Sequence, residues 1–235
     1  HAEAYSYLNE SLGLDNFKAF LHEPSIANKF EFLMETKNDY TYKDLAKSKE
    51  ARADVAKSLA IFSAFAEGVS LYSSFAVLYS FQLRNLLKGV GQQMKWSVRD
   101  ESLHSKMGCK LFTHMCEEYP ELSEEVSKDV FEAAKLIVEM EEKFIDKMFE
   151  MGDLENLKAD DLKNFIRQRA NEKLSELGYD STPNGDFYLE YDEESAENLE
   201  WFYHLTGGVT HTDFFAMRPT DYSKAGEDDD WDNLF

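Results

Sequence analysis

Residues 97–104 read Ser97-Val98-Arg99-Asp100-Glu101-Ser102-Leu103-His104, and this stretch decides the fold. It lies inside a helical pattern that runs from Gln92 to Glu118 and stops at Tyr119-Pro120, since proline and the residue before it do not continue a helix. Met94, Val98, Glu101, His104, Gly108, Leu111 and Met115 recur at steps of three and four, the spacing that stacks side chains on one helix face. That stripe predicts a core-facing side with a carboxylate and an imidazole at its middle. An unpaired charge in an apolar interior is costly, so both groups need partners there.

A candidate partner stands 34 residues earlier. Ser58–Leu83 contains one charged residue, Glu67, in the middle of the stripe Ala60, Ala64, Glu67, Leu71, Phe75 and Leu78. No Lys or Arg shares either stripe. Three ligand-type side chains on two helices therefore point to a metal ion rather than an ion pair. A single Glu on one helix and Glu-x-x-His on another make half of a di-metal carboxylate site in the core of a bundle. The plainer alternative is an exposed Glu101–His104 pair, with Glu67 bonded to a buried hydroxyl.

Working outward, helical periodicity dominates and strand alternation is nearly absent. Helices are expected from His1 to about Asn9, continuing past Gly13 into Asn16–His22, and over Ser25–Thr36. A long stretch from Tyr42 to about Leu87 breaks near Ser48, and Lys88-Gly89-Val90-Gly91 reads as a tight connection. Ser123–Met151 and Lys158–Leu177 are two more amphipathic helices, and beyond Gly178 the pattern decays into aromatic, turn-rich sequence. The fold class is all-α: one helical domain over residues 1–224, then an acidic tail, Ala225–Phe235.

Ser58–Leu83 is long enough to span a bilayer. Six serines, Gln82 and Glu67 interrupt it, however, and the central helix of a bundle fits better than a membrane span. The net charge of −21 repels phosphate backbones and anionic lipid, which argues against nucleic acid and membrane surfaces as partners. Two cysteines, Cys109 and Cys116, are too few to staple a secreted scaffold of this size, so a cytoplasmic location is expected. The first residue is His1, in what reads as mid-helix sequence without a cap; a further N-terminal segment or a companion chain is expected to belong to the fold.

At this point a resemblance becomes specific. Glu67-Gly68, the Ser73-Ser74-Phe75-Ala76 beyond it, and Arg99-Asp100-Glu101-Ser102-Leu103-His104 resemble the small, radical-generating subunit of class I ribonucleotide reductase. His1-Ala2-Glu3-Ala4-Tyr5 and Asp213-Phe214-Phe215 through Tyr222 are similar to that family's segments carrying a ligand histidine, the radical tyrosine and the relay tyrosine.

The resemblance implies a ferritin-like helical bundle, of which residues 1–224 are the C-terminal part, with a disordered tail over 225–235. It implies metal ligands His1, Glu67, Glu101 and His104, with Tyr5 as the radical site, shielded by neighbours such as Leu71 and Phe75. Asp100 would hydrogen-bond the ring of His1, and Tyr222 would relay the radical outward. The cofactor implied is two metal ions, iron first, with manganese or a mixed pair left open because carboxylate and imidazole suit all of them. The partners implied are a large catalytic subunit, docked through the tail that ends in Leu234-Phe235, and a second copy in a homodimer. Two carboxylate ligands of the family have no counterpart here, so the chain alone is expected to bind metal weakly and to hold no stable radical. Two other readings stay open: a helical di-metal oxidase or desaturase acting alone, and a ferritin-like metal store.

Overall fold

The structure is a computed structural model, and it describes residues 2–14 and 23–207. The expected helix over Asn16–His22, together with His1, Tyr222 and the acidic tail, lies outside the described residues. The first four helices are α1 (Ala2–Ser11), α2 (Pro24–Glu35), α3 (Tyr42–Lys47) and α4 (Lys49–Ala60). The break near Ser48 is present: its side chain accepts from the Ala51 N–H and caps α4, satisfying a donor that the first turn leaves open.

The long stretch after Ser48 is not one helix. A π-helical turn, Ile61–Ala66, succeeds α4, and α5 (Tyr72–Leu83) begins only after a further turn. The Glu67 N–H donates to the Phe62 carbonyl at 3.0 Å and the Ser70 N–H to the Phe65 carbonyl at 2.9 Å, each five residues back. Each extra residue in the turn rotates the downstream chain by about 100°. The predicted stripe therefore fails at Leu71, which is 38% exposed while Tyr72 turns inward; Phe75, further along the same stripe, is in the core as expected.

Gly68 sits where this turn meets two other helices. A Cβ there would lie 2.2 Å from the Ala64 carbonyl oxygen and 2.7 Å from Ser105 Oγ. The turn between α5 and α6 (Lys88–Glu118) corrects another expectation. Lys88–Gly91 form the first turn of α6, and the connection falls earlier, with Asn85 and Leu87 at φ +61° and +46°. Gly91 is required by packing instead: a Cβ would stand 1.9 Å from Gln82 Oε1.

The bundle is completed by α7 (Glu121–Met148) and α8 (Ala159–Glu176). α6 packs along α5, α4 and the π turn, while α7 lies against α4, α2 and α8. Ala60, Ala64, Phe65, Met94, Val98, Phe112, Ile137 and Phe165 fill the space between them. The region beyond Gly178 is more ordered than its sequence suggests. It holds two short helices, α9 (Glu193–Glu197) and α10 (Glu200–Gly207). The second inserts the fully buried Phe202 against Tyr72 and Phe165.

Among the described residues the one pairing of β type is an isolated bridge between Leu154 and Leu157. No described helix is long and apolar enough to cross a membrane, and Ser58–Leu83 is divided by the π turn. Cys109 and Cys116 are free, and burial pushes the Cys109 thiol up to about 12.

Candidate metal centre

Glu67 closes the π turn, and Glu101 and His104 stand one turn apart on α6. The fold brings the three together, with one ligand atom from each lying within 4.8 Å of the others. His104 Nδ1 is 3.3 Å from Glu101 Oε2. The cluster is not in a dry interior, however. Glu101 is 8% exposed and Glu67 half-buried, but the His104 side chain is 49% exposed. The buried face of α6 runs through Met94, Val98, Glu101, Ser105, Gly108 and Phe112, a regular alternation of four and three. His104 and Leu111 fall off its edge, which corrects the predicted stripe: Leu111 is 56% exposed. The site straddles the rim of the core.

Its electrostatics call for a cation. Burial raises the Glu67 carboxyl above its ordinary range, the charge on Glu101 raises it further, and His104 opposes the rise. Two mutually repelling carboxylates with an imidazole beside them are a donor set that suits divalent first-row metals. The residues present fit such an ion. Asp100, expected beside His1, has Oδ1 3.7 Å from His104 Nε2, both side chains being half-exposed; its relation to His1 lies outside the described residues. An acid beside a ligating imidazole orients the ring.

Two phenols flank the cluster, each held by a serine on the first half of α6. Tyr5, on α1, has its hydroxyl 2.7 Å from Ser97 Oγ. Burial raises its pKa, the Ser97 bond opposes the rise, and the Glu101 charge adds to it. Tyr5 thus feels the charge of the candidate ligand. Tyr72, fully buried, has its hydroxyl 2.8 Å from Ser102 Oγ. The Arg169 guanidinium lies 3.7 Å from the centre of the Tyr72 ring, and its Nε–H donates to the Gly68 carbonyl at 3.0 Å, pinning the residue next to Glu67. Sequence alone singles out none of Ser97, Ser102, Tyr72 and Arg169. The serines stand next to ligand positions in the chain, but nothing local says which tyrosine reaches them.

A helical bundle with a carboxylate–histidine cluster where two of its segments meet defines a class, the ferritin-like helix bundles. Within that class the chain belongs to the ribonucleotide reductase small chain family, whose model matches residues 1–186. It is 33% identical over 160 residues to a protein of Invertebrate iridescent virus 3 named a probable ribonucleoside-diphosphate reductase small subunit, covering 66% of this chain and 39% of that one. A similarly named protein of Invertebrate iridescent virus 6 is 30% identical over 265 residues, covering 100% of this chain and 71% of the relative. The ribonucleoside-diphosphate reductase subunit beta of Chlamydia pneumoniae is 27% identical over 231 residues, covering 96% and 64%. The chain therefore spans well under half of the first of these relatives and just under two thirds of the third. In fold it is similar to a chain described as a putative class I ribonucleotide reductase from Bacillus halodurans, with a TM-score of 0.67 at 19% identity, over 86% of this chain and 69% of that one.

Proposed function

We propose that the chain acts as the radical-generating small subunit of ribonucleoside-diphosphate reductase. The observation that carries this reading is the convergence of Glu67, Glu101 and His104, with the Tyr5 phenol close enough to feel the charge on Glu101. Metal ions held by Glu67, Glu101, His104 and His1, once charged by an external oxidant, would take one electron from a nearby phenol, iron being the first choice. A di-metal site of this class uses more carboxylates than these two, so the centre needs further donors beside them.

The chain's own residues divide the remaining work. Glu101, nearly buried, fixes the ligand that cannot move without disturbing the core, while Asp100 orients the His104 ring. Tyr5 is the residue oxidised and stores the radical. Tyr222 relays it to a large catalytic subunit, where the ribonucleotide is reduced. The tail over 225–235 docks that subunit, its acidic run ending in the apolar pair Leu234-Phe235, a pattern suited to a peptide that orders on binding. The working unit is a homodimer in the cytoplasm.

Electron paramagnetic resonance of the assembly purified from its native host tests the proposal. A tyrosyl signal is expected, and Tyr5→Phe is expected to abolish it with metal content unchanged. A signal that survives Tyr5→Phe contradicts the assignment of the radical.

A further inference from the structure

We infer that Ser97 is a positioning residue for Tyr5: its hydroxyl holds the phenolic oxygen by a hydrogen bond, and is the donor to that oxygen whenever it carries no proton. This rests on the reading of Tyr5 as the radical site and adds to it a second residue.

The geometry carries the inference. The Tyr5 hydroxyl and Ser97 Oγ are 2.7 Å apart, across 92 residues of sequence, so the contact is tertiary and joins α1 to α6. Ser97 is 1% exposed, and a buried hydroxyl is costly to leave unpaired. Its place on α6 is one turn before Glu101, on the same face, so the bond sets how far the phenol stands from the candidate ligand. A phenol can give or accept a hydrogen bond, but a phenolic oxygen without its proton only accepts; the rotatable serine hydroxyl then serves as donor with no movement of the backbone. An apolar residue at position 97 would shield the ring without fixing the oxygen. Serine makes this environment a polar one on the oxygen side, with packing against the core on the other.

Ultraviolet resonance Raman spectroscopy of the full chain tests this without metal or turnover. The spectrum of the Tyr5→Phe variant, subtracted from its parent, isolates the Fermi doublet of Tyr5, whose intensity ratio reports hydrogen bonding at the phenol. Ser97→Ala is expected to shift that ratio away from the parent value, and Ser97→Thr, which keeps a hydroxyl, to hold it there. In the native assembly, the coupling of an exchangeable deuteron to the Tyr5 radical is expected to weaken in Ser97→Ala and to be kept in Ser97→Thr. An unchanged Tyr5 doublet in Ser97→Ala overturns the inference. Failure of the underlying reading looks different: the radical signal would persist in Tyr5→Phe, whatever the Raman result.

Discussion

Arg169 places its guanidinium 3.7 Å from the centre of the Tyr72 ring, and the two are buried together. A cation over a ring face is held by the electron-rich ring, so loss of an electron and the phenolic proton from Tyr72 would weaken that attraction and is disfavoured there. The Glu101 charge acts on both phenols, but at Tyr72 the Arg169 cation outweighs it. Two tyrosines are bonded to serines of one helix, and their charged neighbours separate their roles. Tyr72→Phe is therefore predicted to leave the tyrosyl radical signal intact, at a stability cost of about 1 kcal/mol for the lost Ser102 bond. Resonance spectra and denaturant unfolding of the same variant check both halves.

The ligand cluster predicts a graded loss of metal affinity. Glu101→Gln and His104→Ala are expected to weaken Mn(II) or Fe(II) binding by well over tenfold. Asp100→Asn removes no ligand and reaches the metal through a ligand ring such as that of the half-exposed His104, so it is expected to cost about tenfold, the lower end for groups that orient a ligating histidine. Anaerobic titration calorimetry gives the order, and an Asp100 variant weaker than Glu101→Gln would contradict the geometry.

A buried ion pair far from the cluster in sequence gives the pH dependence. Glu141, fully buried on α7, accepts from Lys29 of α2 and from Ser73 Oγ. Burial holds its carboxyl above the ordinary range, with Lys29 and Ser73 pulling the other way. A carboxyl raised in the folded state contributes stability below its unfolded pKa of about 4.3 and loses it as pH rises through the folded value. Lys29→Met removes the opposing cation and lifts that folded value further. Its destabilisation is predicted to be largest at pH 8, about 3–5 kcal/mol, and to shrink toward pH 5 as Glu141 takes up a proton. Urea unfolding at the two pH values measures this; a cost independent of pH would contradict it.

How much of the fold and site is legible in the sequence depends on what each residue's neighbours are. Glu101 and His104 are three apart on one helix, so their meeting is local and readable, and the single charge in Ser58–Leu83 marks Glu67 as their partner. Admitting His104 to the buried stripe misplaces the rotation of α6. The residues that fill the interior are Ser105 and Phe112, whereas His104 and Leu111 sit at its margin. The π turn has no signature, because Ile61–Ala66 is as apolar as an ordinary helix turn and five-residue backbone bonds depend on what packs outside them. Gly68, crowded by the carbonyl of Ala64 and the side chain of Ser105, is one such contact. Tyr5–Ser97, Tyr72–Arg169 and Lys29–Glu141 are separated by tens of residues, and no helical period encodes them. The short α10 is hidden for the same reason: its stability comes from Phe202 entering an aromatic cluster, not from its own eight residues.

The three donors from the π turn and α6 are predicted to share bound metal. A crystal soaked in Mn(II), with diffraction collected at the manganese edge, measures this directly. The predicted result is an anomalous peak within bonding distance of Glu67, Glu101 and His104, lost in Glu101→Gln. Manganese bound only elsewhere, with these side chains turned away from one another, would contradict it.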